Sequence, residues 1–323
     1  VKELVGTGGL FSEIPVSETG VGLLTPQQFH REVEKLLEKQ KEQEDASMET
    51  SEPATVLLDV RNHIEYNIGH FDGATDPETR VFSQFPAYVR KTLPKLKGKK
   101  ILMYCTGGIR CEKASAYIRK QLEAVGDVEG AQNVHHLHGG IHKYLQAYPD
   151  GGLFKGLNYV FDSRNALAPE VGQSEVVGKC VECQTDYDQL QNMKDKCIVC
   201  RDNVLICSQC RINLREKAKK LHAANQSNSP NVATEEDEFL QLLFCEDHAF
   251  LKTCFIKDLD RICDVNHLKD METELHSHLS TSLVGRHHKK RRRTVEGQLA
   301  RVRARLCTLL NNSTAEEMEA SGR

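Results

Sequence analysis

Ile101-Leu102-Met103-Tyr104-Cys105-Thr106-Gly107-Gly108-Ile109-Arg110-Cys111-Glu112-Lys113-Ala114 is the stretch from which the architecture follows. Its leading apolar residues read as a short buried strand. A small, glycine-bearing turn comes next, and then a helical pattern that gathers Cys111, Ala114, Ser115, Ile118 and Leu122 on one face. Strand, tight turn and helix in that order place Cys105 at the carboxyl end of a parallel strand, at the mouth of a turn facing a helix N-terminus. Amide N–H groups and the helix dipole converge there and stabilise an anion, which predicts a thiol pKa below the ordinary cysteine value. Arg110, five residues on, adds a fixed positive charge to the rim. The bland alternative is a buried structural cysteine, the common fate of a free thiol.

The flanking sequence repeats the strand–helix alternation. Thr25-Pro26-Gln27-Gln28 marks a helix start, with Thr25 as N-cap, Pro26 in the first helical position and Gln28 as the capping-box partner. Phe29, Val33, Leu36 and Leu37 supply its apolar face, and Gln40 to Pro53 is a charged, solvated loop. Val56-Leu57-Leu58-Asp59-Val60-Arg61 is a second buried strand, Phe82 to Leu93 a helix interrupted near Pro86, and Asn133 to Leu137 a third strand. His138-Gly139-Gly140-Ile141 then opens another helix. Strand alternation turns His136 and His138 to one face and His135 to the other, which argues against a metal shared by the three. Alternation from residue 25 to 150 predicts a doubly wound α/β domain, with Cys105 at the sheet edge where such folds place their sites.

At 323 residues and a net charge of -3, the chain has room for two domains, with acidic stretches in the middle and a basic tail. No apolar run reaches membrane-spanning length, so no membrane association is expected. The first residue is Val1, which reads as an interior start and leaves targeting signals unread. The twelve cysteines carry more information. Cys180/Cys183, Cys197/Cys200 and Cys207/Cys210 are Cys-x2-Cys pairs, which suit thiolate coordination better than disulfides closing two-residue loops. With Cys245 and His248 they make eight ligands, enough for two tetrahedral structural zinc ions in a reducing compartment, the cytoplasm or the nucleus. Spacing leaves open whether the pairs close in sequence or interleave, and whether Cys254 replaces His248.

The expected organisation is an extended segment at 1–24, the α/β domain at 25–150, a linker at 151–172, a cysteine-rich domain at 173–255 and a helical charged tail at 256–323. In the tail, Arg286-His287-His288-Lys289-Lys290-Arg291-Arg292-Arg293 precedes a helix carrying Leu299, Val302, Leu306 and Leu309 on one side. Lys289, Lys290, Arg291, Arg292 and Arg293 suit contact with RNA phosphates; nuclear import and a merely solvated tail are the rivals.

Cys-x4-Arg on a strand–loop–helix turn resembles the active loop of the rhodanese superfamily, one residue shorter than the Cys-x5-Arg phosphate cradle of tyrosine and dual-specificity phosphatases. Leu58-Asp59-Val60-Arg61, Glu65-Tyr66 and Gly69-His70-Phe71-Asp72-Gly73-Ala74 resemble the first rhodanese signature, in which Glu65 and His70 tie the loop back to the sheet. Asp76-Pro77-Glu78-Thr79-Arg80, the phrase from Cys105 to Tyr117, Gly139-Gly140 and Val160-Phe161-Asp162-Ser163-Arg164 resemble one branch. That branch is the rhodanese-like oxygen-dependent tRNA uridine hydroxylases, with their eukaryotic thiosulfate-sulfurtransferase-like relatives. The likeness runs from about Val1 to Cys210. Its members carry a ferredoxin-like domain ahead of the rhodanese core, missing here, and a cysteine-rich domain after it.

The resemblance implies that Cys105 is the active cysteine, that the amides of Thr106, Gly107, Gly108, Ile109 and Arg110 cradle its sulfur, and that Arg110 stabilises its charge. It implies tRNA as partner and 5-hydroxyuridine at the wobble position as product. Inserting oxygen from O2 ordinarily calls for iron, copper or flavin, yet the sequence carries neither a facial-triad motif nor a dinucleotide glycine fingerprint, so the redox cofactor is unassigned. Sulfur transfer from a small donor such as thiosulfate, through a Cys105 persulfide, is the second reading. A non-catalytic zinc- or RNA-binding module is the third. Cys111 is placed in the core, with a resolving thiol as the alternative. No motif specifies the oligomeric state.

Overall fold

The computed structural model describes residues 19–45, 55–160, 166–171, 175–189, 195–226, 234–257, 259, 262, 264–283 and 289–321. The expectations for residues 1–18, 46–53, Phe161 to Arg164 and Arg286 to His288 lie outside them. The chain divides into two units, residues 1–191 with 205–207, and residues 192–204 with 208–323.

In chain order the first unit runs β1 (Leu23–Leu24), α1 (Pro26–Asp45), β2 (Thr55–Asp59), α2 (His63–Ile68), β3 (Gly69–Phe71), α3 (Phe85–Leu96), β4 (Lys100–Tyr104) and α4 (Ile109–Ala124). It continues with α5 (Val128–Gln132), β5 (Val134–Leu137), α6 (Gly140–Ala147), β6 (Phe154–Gly156), β7 (Asn158–Tyr159) and β8 (Ala166–Leu167). Four strands make one parallel sheet in the order β1-β5-β4-β2. The period-two pattern of β4 sorts its side chains between two cores. Ile101 and Met103 pack with Phe85, Val89 and Leu96 of α3 and Cys111, Ala114, Ile118 and Leu122 of α4. Leu102 and Tyr104 pack with Phe29, Val33 and Leu36 of α1 and Ile141, Tyr144 and Leu145 of α6. Helices therefore cover both faces, as doubly wound strands buried on two sides require. Each fully buried aliphatic side chain contributes about 1.5–3 kcal/mol, so these two stripes hold the strand in register.

Local signals explain the boundaries. The amide N–H of Thr25 donates to Gln28 Oε1 at 2.9 Å and that of Gln28 to Thr25 Oγ1 at 3.3 Å, the reciprocal box that starts α1. Pro86 does not interrupt a helix. A 3-10 turn over Phe82–Gln84 leads into α3, and Pro86 sits in its first turn, where its missing N–H has no intrahelical partner to lose. Leu23-Leu24, expected as extended lead-in, is an edge strand too short to show periodicity. Backbone bonds from His136 N–H to the Gly22 carbonyl and from His138 N–H to that of Leu24, both 2.9 Å, hold it. Within the stretch expected as a linker, β6 pairs antiparallel with β3 and β7 with β8.

The second unit contains α7 (Ser208–Gln226), α8 (Glu235–Gln241), α9 (Val265–Ser277) and α10 (Lys289–Ser321). Leu268, Met271 and Leu275 of α9 share a core with Val295, Leu299, Val302 and Leu306 of α10. Ile198, Phe244, Leu251 and Cys254 enter the same core. The tail helices are therefore packed against the residues that flank the second cysteine pair. Among the described residues no helix is long and apolar enough to cross a membrane.

Candidate functional site

Gly108, at φ +95°, is the N-cap of α4, a left-handed conformation that glycine adopts without strain. Its amide N–H donates to Cys105 Sγ at 3.1 Å, so the turn bends back onto the sulfur. The Gly139-Gly140 turn ahead of α6 closes on this loop. Ile141 N–H donates to the Cys105 carbonyl at 2.9 Å and His142 N–H to the Thr106 carbonyl at 3.1 Å. A Cβ on Gly140 would stand 2.4 Å from the Cys105 oxygen and 2.7 Å from the Thr106 carbonyl carbon. Only glycine permits that approach. In place of an open mouth, Cys105 exposes none of its surface, whereas Ile109 beside it is 41% exposed.

Arg110 projects inward rather than standing on a rim. Its Nη1 donates to Glu65 Oε2 and its Nη2 to Glu65 Oε1, each at 2.7 Å. Nη2 also meets Thr106 Oγ1 at 2.9 Å, and that hydroxyl reaches Glu65 Oε1 at 3.1 Å. The two charged side chains are 3% and 1% exposed. Burial pushes the Glu65 carboxyl up, but the charges of Arg110 and Arg61 and the donated hydrogen bonds outweigh it and hold the group below the ordinary carboxylate value. Glu65 also accepts the Asn62 amide at 3.0 Å at the start of α2. The expected tie between Glu65 and the loop thus runs through Arg110 and Thr106, partnerships that spacing did not disclose. A second buried pair stands beside β2: Arg61 donates to both Asp59 oxygens, with Nη2 2.6 Å from Oδ2, and neither side chain is exposed. His70 stacks on Tyr66 at 4.1 Å and bonds its carbonyl at 2.9 Å. Cys111 is buried in the core beneath α4.

His136 is fully buried and neither ring nitrogen has a hydrogen-bond partner among the described residues. Burial, with Arg119, His135 and His138 nearby, pushes its pKa down to about 4. None of His135, His136 and His138 falls in a metal-sized group among the described residues.

The cysteine pairs interleave. Within the first unit the ligand atoms of Cys180, Cys183 and Cys207 lie within 4.8 Å of one another, with Cys210 three residues on from Cys207, and within the second those of Cys197, Cys200, Cys245 and His248 do likewise. A tetrahedral ion with metal–sulfur bonds of about 2.3 Å separates its sulfurs by ~3.8 Å. Cys183–Cys207 and Cys200–Cys245 are both 3.7 Å apart. His248 Nδ1 is 3.1 Å from Cys245 Sγ and 3.9 Å from Cys197 Sγ, so His248, not Cys254, completes the second set. These donors fit a metal ion. The two Cys-x2-Cys turns that open the sets are built alike, with Cys180 N–H donating to Thr185 O and Cys197 N–H to Asp202 O. Gln184 and Arg201 occupy equivalent left-handed positions at φ +60° and +67°. Lys179-Cys180 and Lys196-Cys197 are the sequence trace of this repeat.

Lys289, Lys290, Arg291, Arg292 and Arg293 form the first turns of α10. Arg291 pairs with Asp247, and Arg292 with Glu296 at 2.9 Å.

Residues 31–147 match the model of the rhodanese-like domain, and residues 155–221 that of the rhodanase C-terminal region. The chain is 42% identical over 161 residues to rhodanese-like domain-containing protein 6 of Arabidopsis thaliana, covering 49% of this chain and 26% of that protein. It is 41% identical over 150 residues to a tRNA uridine(34) hydroxylase of Brucella ovis, covering 45% of this chain and 46% of the hydroxylase. The chain thus spans about half the length of that relative. The solved rhodanese-like domain from Anabaena aligns with 49% of this chain and 92% of its own at 21% identity, with a TM-score of 0.28. The matched residues cover β2, β4 and β5 of the parallel sheet and the Cys105 loop: this chain carries a rhodanese-like domain, followed by a rhodanase C-terminal region.

Proposed function

We propose that this chain is a tRNA-modifying enzyme that acts through Cys105 in forming 5-hydroxyuridine at the wobble position. The observation that carries the reading is the Gly108 N–H aimed at Cys105 Sγ from 3.1 Å at the N-terminus of α4, in a chain 41% identical to a tRNA uridine(34) hydroxylase. An amide donor at a helix N-terminus favours thiolate over thiol. The remaining loop amides from Thr106 to Arg110 line the same turn, and the Glu65–Arg110 pair holds it in shape. The two interleaved sets are proposed to hold structural zinc: four thiolate or imidazole ligands leave no open position, so these ions brace turns rather than polarise substrate. Lys289 to Arg293 supply cationic charge for RNA, and a cytoplasmic location follows from a tRNA substrate.

Nucleoside analysis of tRNA from cells lacking the protein tests the proposal. The expected result is loss of 5-hydroxyuridine, restored by the full protein and not by Cys105→Ser; unchanged 5-hydroxyuridine in its absence discards the reading. Sulfur transfer is the second reading, favoured by a loop one residue shorter than a phosphate cradle. The Cys105 thiolate then attacks the outer sulfur of thiosulfate, the S–S bond breaks and sulfite leaves, so incubation with thiosulfate adds one sulfur to the intact mass and Cys105→Ser abolishes the gain. The zero exposure of Cys105 favours the third, a binding module. That reading prevails if Cys105→Ser leaves both readouts and the cellular phenotype intact.

A further inference from the structure

Cys254, set aside by the second cysteine set, has other company. Its sulfur, the Glu274 carboxylate and the His278 imidazole lie within 4.8 Å of one another, all within the second unit. Glu274 and His278 are four residues apart, the spacing that puts two side chains on one helical face. Cys254 comes from the turn after the 3-10 segment Glu246–Leu251, where its N–H bonds the Leu251 carbonyl at 3.2 Å. Three chemically different ligands thus converge from two elements.

Their surroundings are those of a built site. Cys254 is fully buried. His278 Nε2, 4.0 Å from Glu274 Oε1, is itself shielded from solvent and has no hydrogen-bond partner among the described residues. A buried nitrogen left unpaired keeps its desolvation penalty, and a cation shared with the neighbouring thiol and carboxylate removes that cost. Thr253 Oγ1 donates to Glu274 Oε1 and orients the carboxylate, as outer groups do around metal ligands. Phe250 meets the His278 ring edge-on at 5.1 Å and fixes its plane. The backbone widens here into a π-helical turn, with Leu283 N–H reaching the His278 carbonyl at 3.0 Å, a local form frequent at functional sites.

We propose that Cys254, Glu274 and His278 form a third metal site, which takes one divalent cation of the zinc class and leaves its fourth position to solvent. Sulfur and imidazole donors select zinc-like ions over magnesium or calcium, which prefer all-oxygen shells. The thiol proton leaves to solvent as the ion binds. An ion with bonds of about 2.1 Å holds nitrogen and oxygen ligands ~3.4 Å apart, so Glu274, 41% exposed at its side chain, swings inward to close the shell. Three protein ligands and an open position distinguish this site from the two closed sets, and make its ion the more exchangeable.

The test titrates the purified full-length protein, as isolated, with Zn2+ against a competing chromophoric chelator, alongside Glu274→Gln and His278→Gln. Both substitutions preserve volume, and circular dichroism verifies the fold of each. The wild type is expected to hold one more zinc ion per chain than either variant. That difference does not depend on how many ions the other two sets retain. Equal zinc content in wild type and both folded variants overturns the proposal.

Discussion

Glu65 and Arg110, 45 residues apart, meet in a forked ion pair in the interior, with both contacts at 2.7 Å. Both terminal guanidinium nitrogens engage that carboxylate, while the Gly108 amide N–H addresses the Cys105 sulfur. Arg110 works as a strut that ties the start of α4 to α2. Removing one partner of such a pair strands the other charge in a low-dielectric site and costs about 3–5 kcal/mol. Glu65→Gln is expected to destabilise by that amount in urea unfolding. Adding Arg110→Met should then cost less than the sum of the two single changes, because the stranded charge is gone.

The same pair sets an acid limit. Glu65 is held below the ordinary carboxylate value, so the unfolded chain takes up its proton at a higher pH than the folded one. Its contribution is fully present above about pH 4.3, the unfolded value, and is lost as pH falls through the lower folded value. Chemical denaturation at a series of pH values should show that loss in the wild type and a flatter acid limb in Glu65→Gln.

His136 acts in a separate window. Folded, it resists protonation down to about pH 4; unfolded, it titrates near its ordinary 6.5. As pH drops between those values the unfolded state binds the extra proton and stability declines, by about 3 kcal/mol at most. Among the described residues neither ring nitrogen has a partner to lose. His136→Leu is therefore expected to match or exceed wild-type stability at pH 7, and to flatten the decline between pH 6.5 and 4.

Gly140 lets two loops share one space. Its φ of +63° already disfavours any side chain, and a Cβ would lie 2.4 Å from the Cys105 carbonyl oxygen. Backbone atoms on both sides give no flexible side-chain end to move. Gly140→Ala is expected to cost about 1–3 kcal/mol in left-handed strain and more in displaced backbone, lowering the melting temperature. It should also change the rate at which Cys105 reacts with a small alkylating agent, measured against Cys105→Ser.

The strand–turn–helix reading around Cys105 and the parallel sheet were legible because they rest on local periodicity: Ile101, Met103 and Cys105 alternate with Leu102 and Tyr104 in sequence as in the sheet. The residues that make up the two candidate ligand sets were legible from Cys-x2-Cys spacing. What stayed hidden was long-range. Glu65 and Arg110 meet only after two loops close, and no pattern within either segment names the other. Leu23-Leu24 is a strand only because β5 offers it an edge. The choice of His248 over Cys254 depends on which residue the 3-10 turn brings beside Cys245, and composition is silent on that.

Removal of metal should unfold the second unit rather than merely loosen two turns. Ile198 lies between two ligands of the second set, bonds the Leu243 carbonyl at 2.8 Å, and enters the core that holds α9 and α10. Structural zinc contributes on the order of 10–16 kcal/mol in small folded modules, against a typical domain stability of about 5–15 kcal/mol. Treatment with a strong chelator is therefore expected to reduce the helical circular dichroism signal and the melting temperature, with recovery when zinc is restored. Cys245→Ser should reproduce the chelated state without chelator. A helical signal and melting temperature unchanged by chelation, with zinc shown to have been removed, would mean that the core of α9 and α10 stands without its ligand turns.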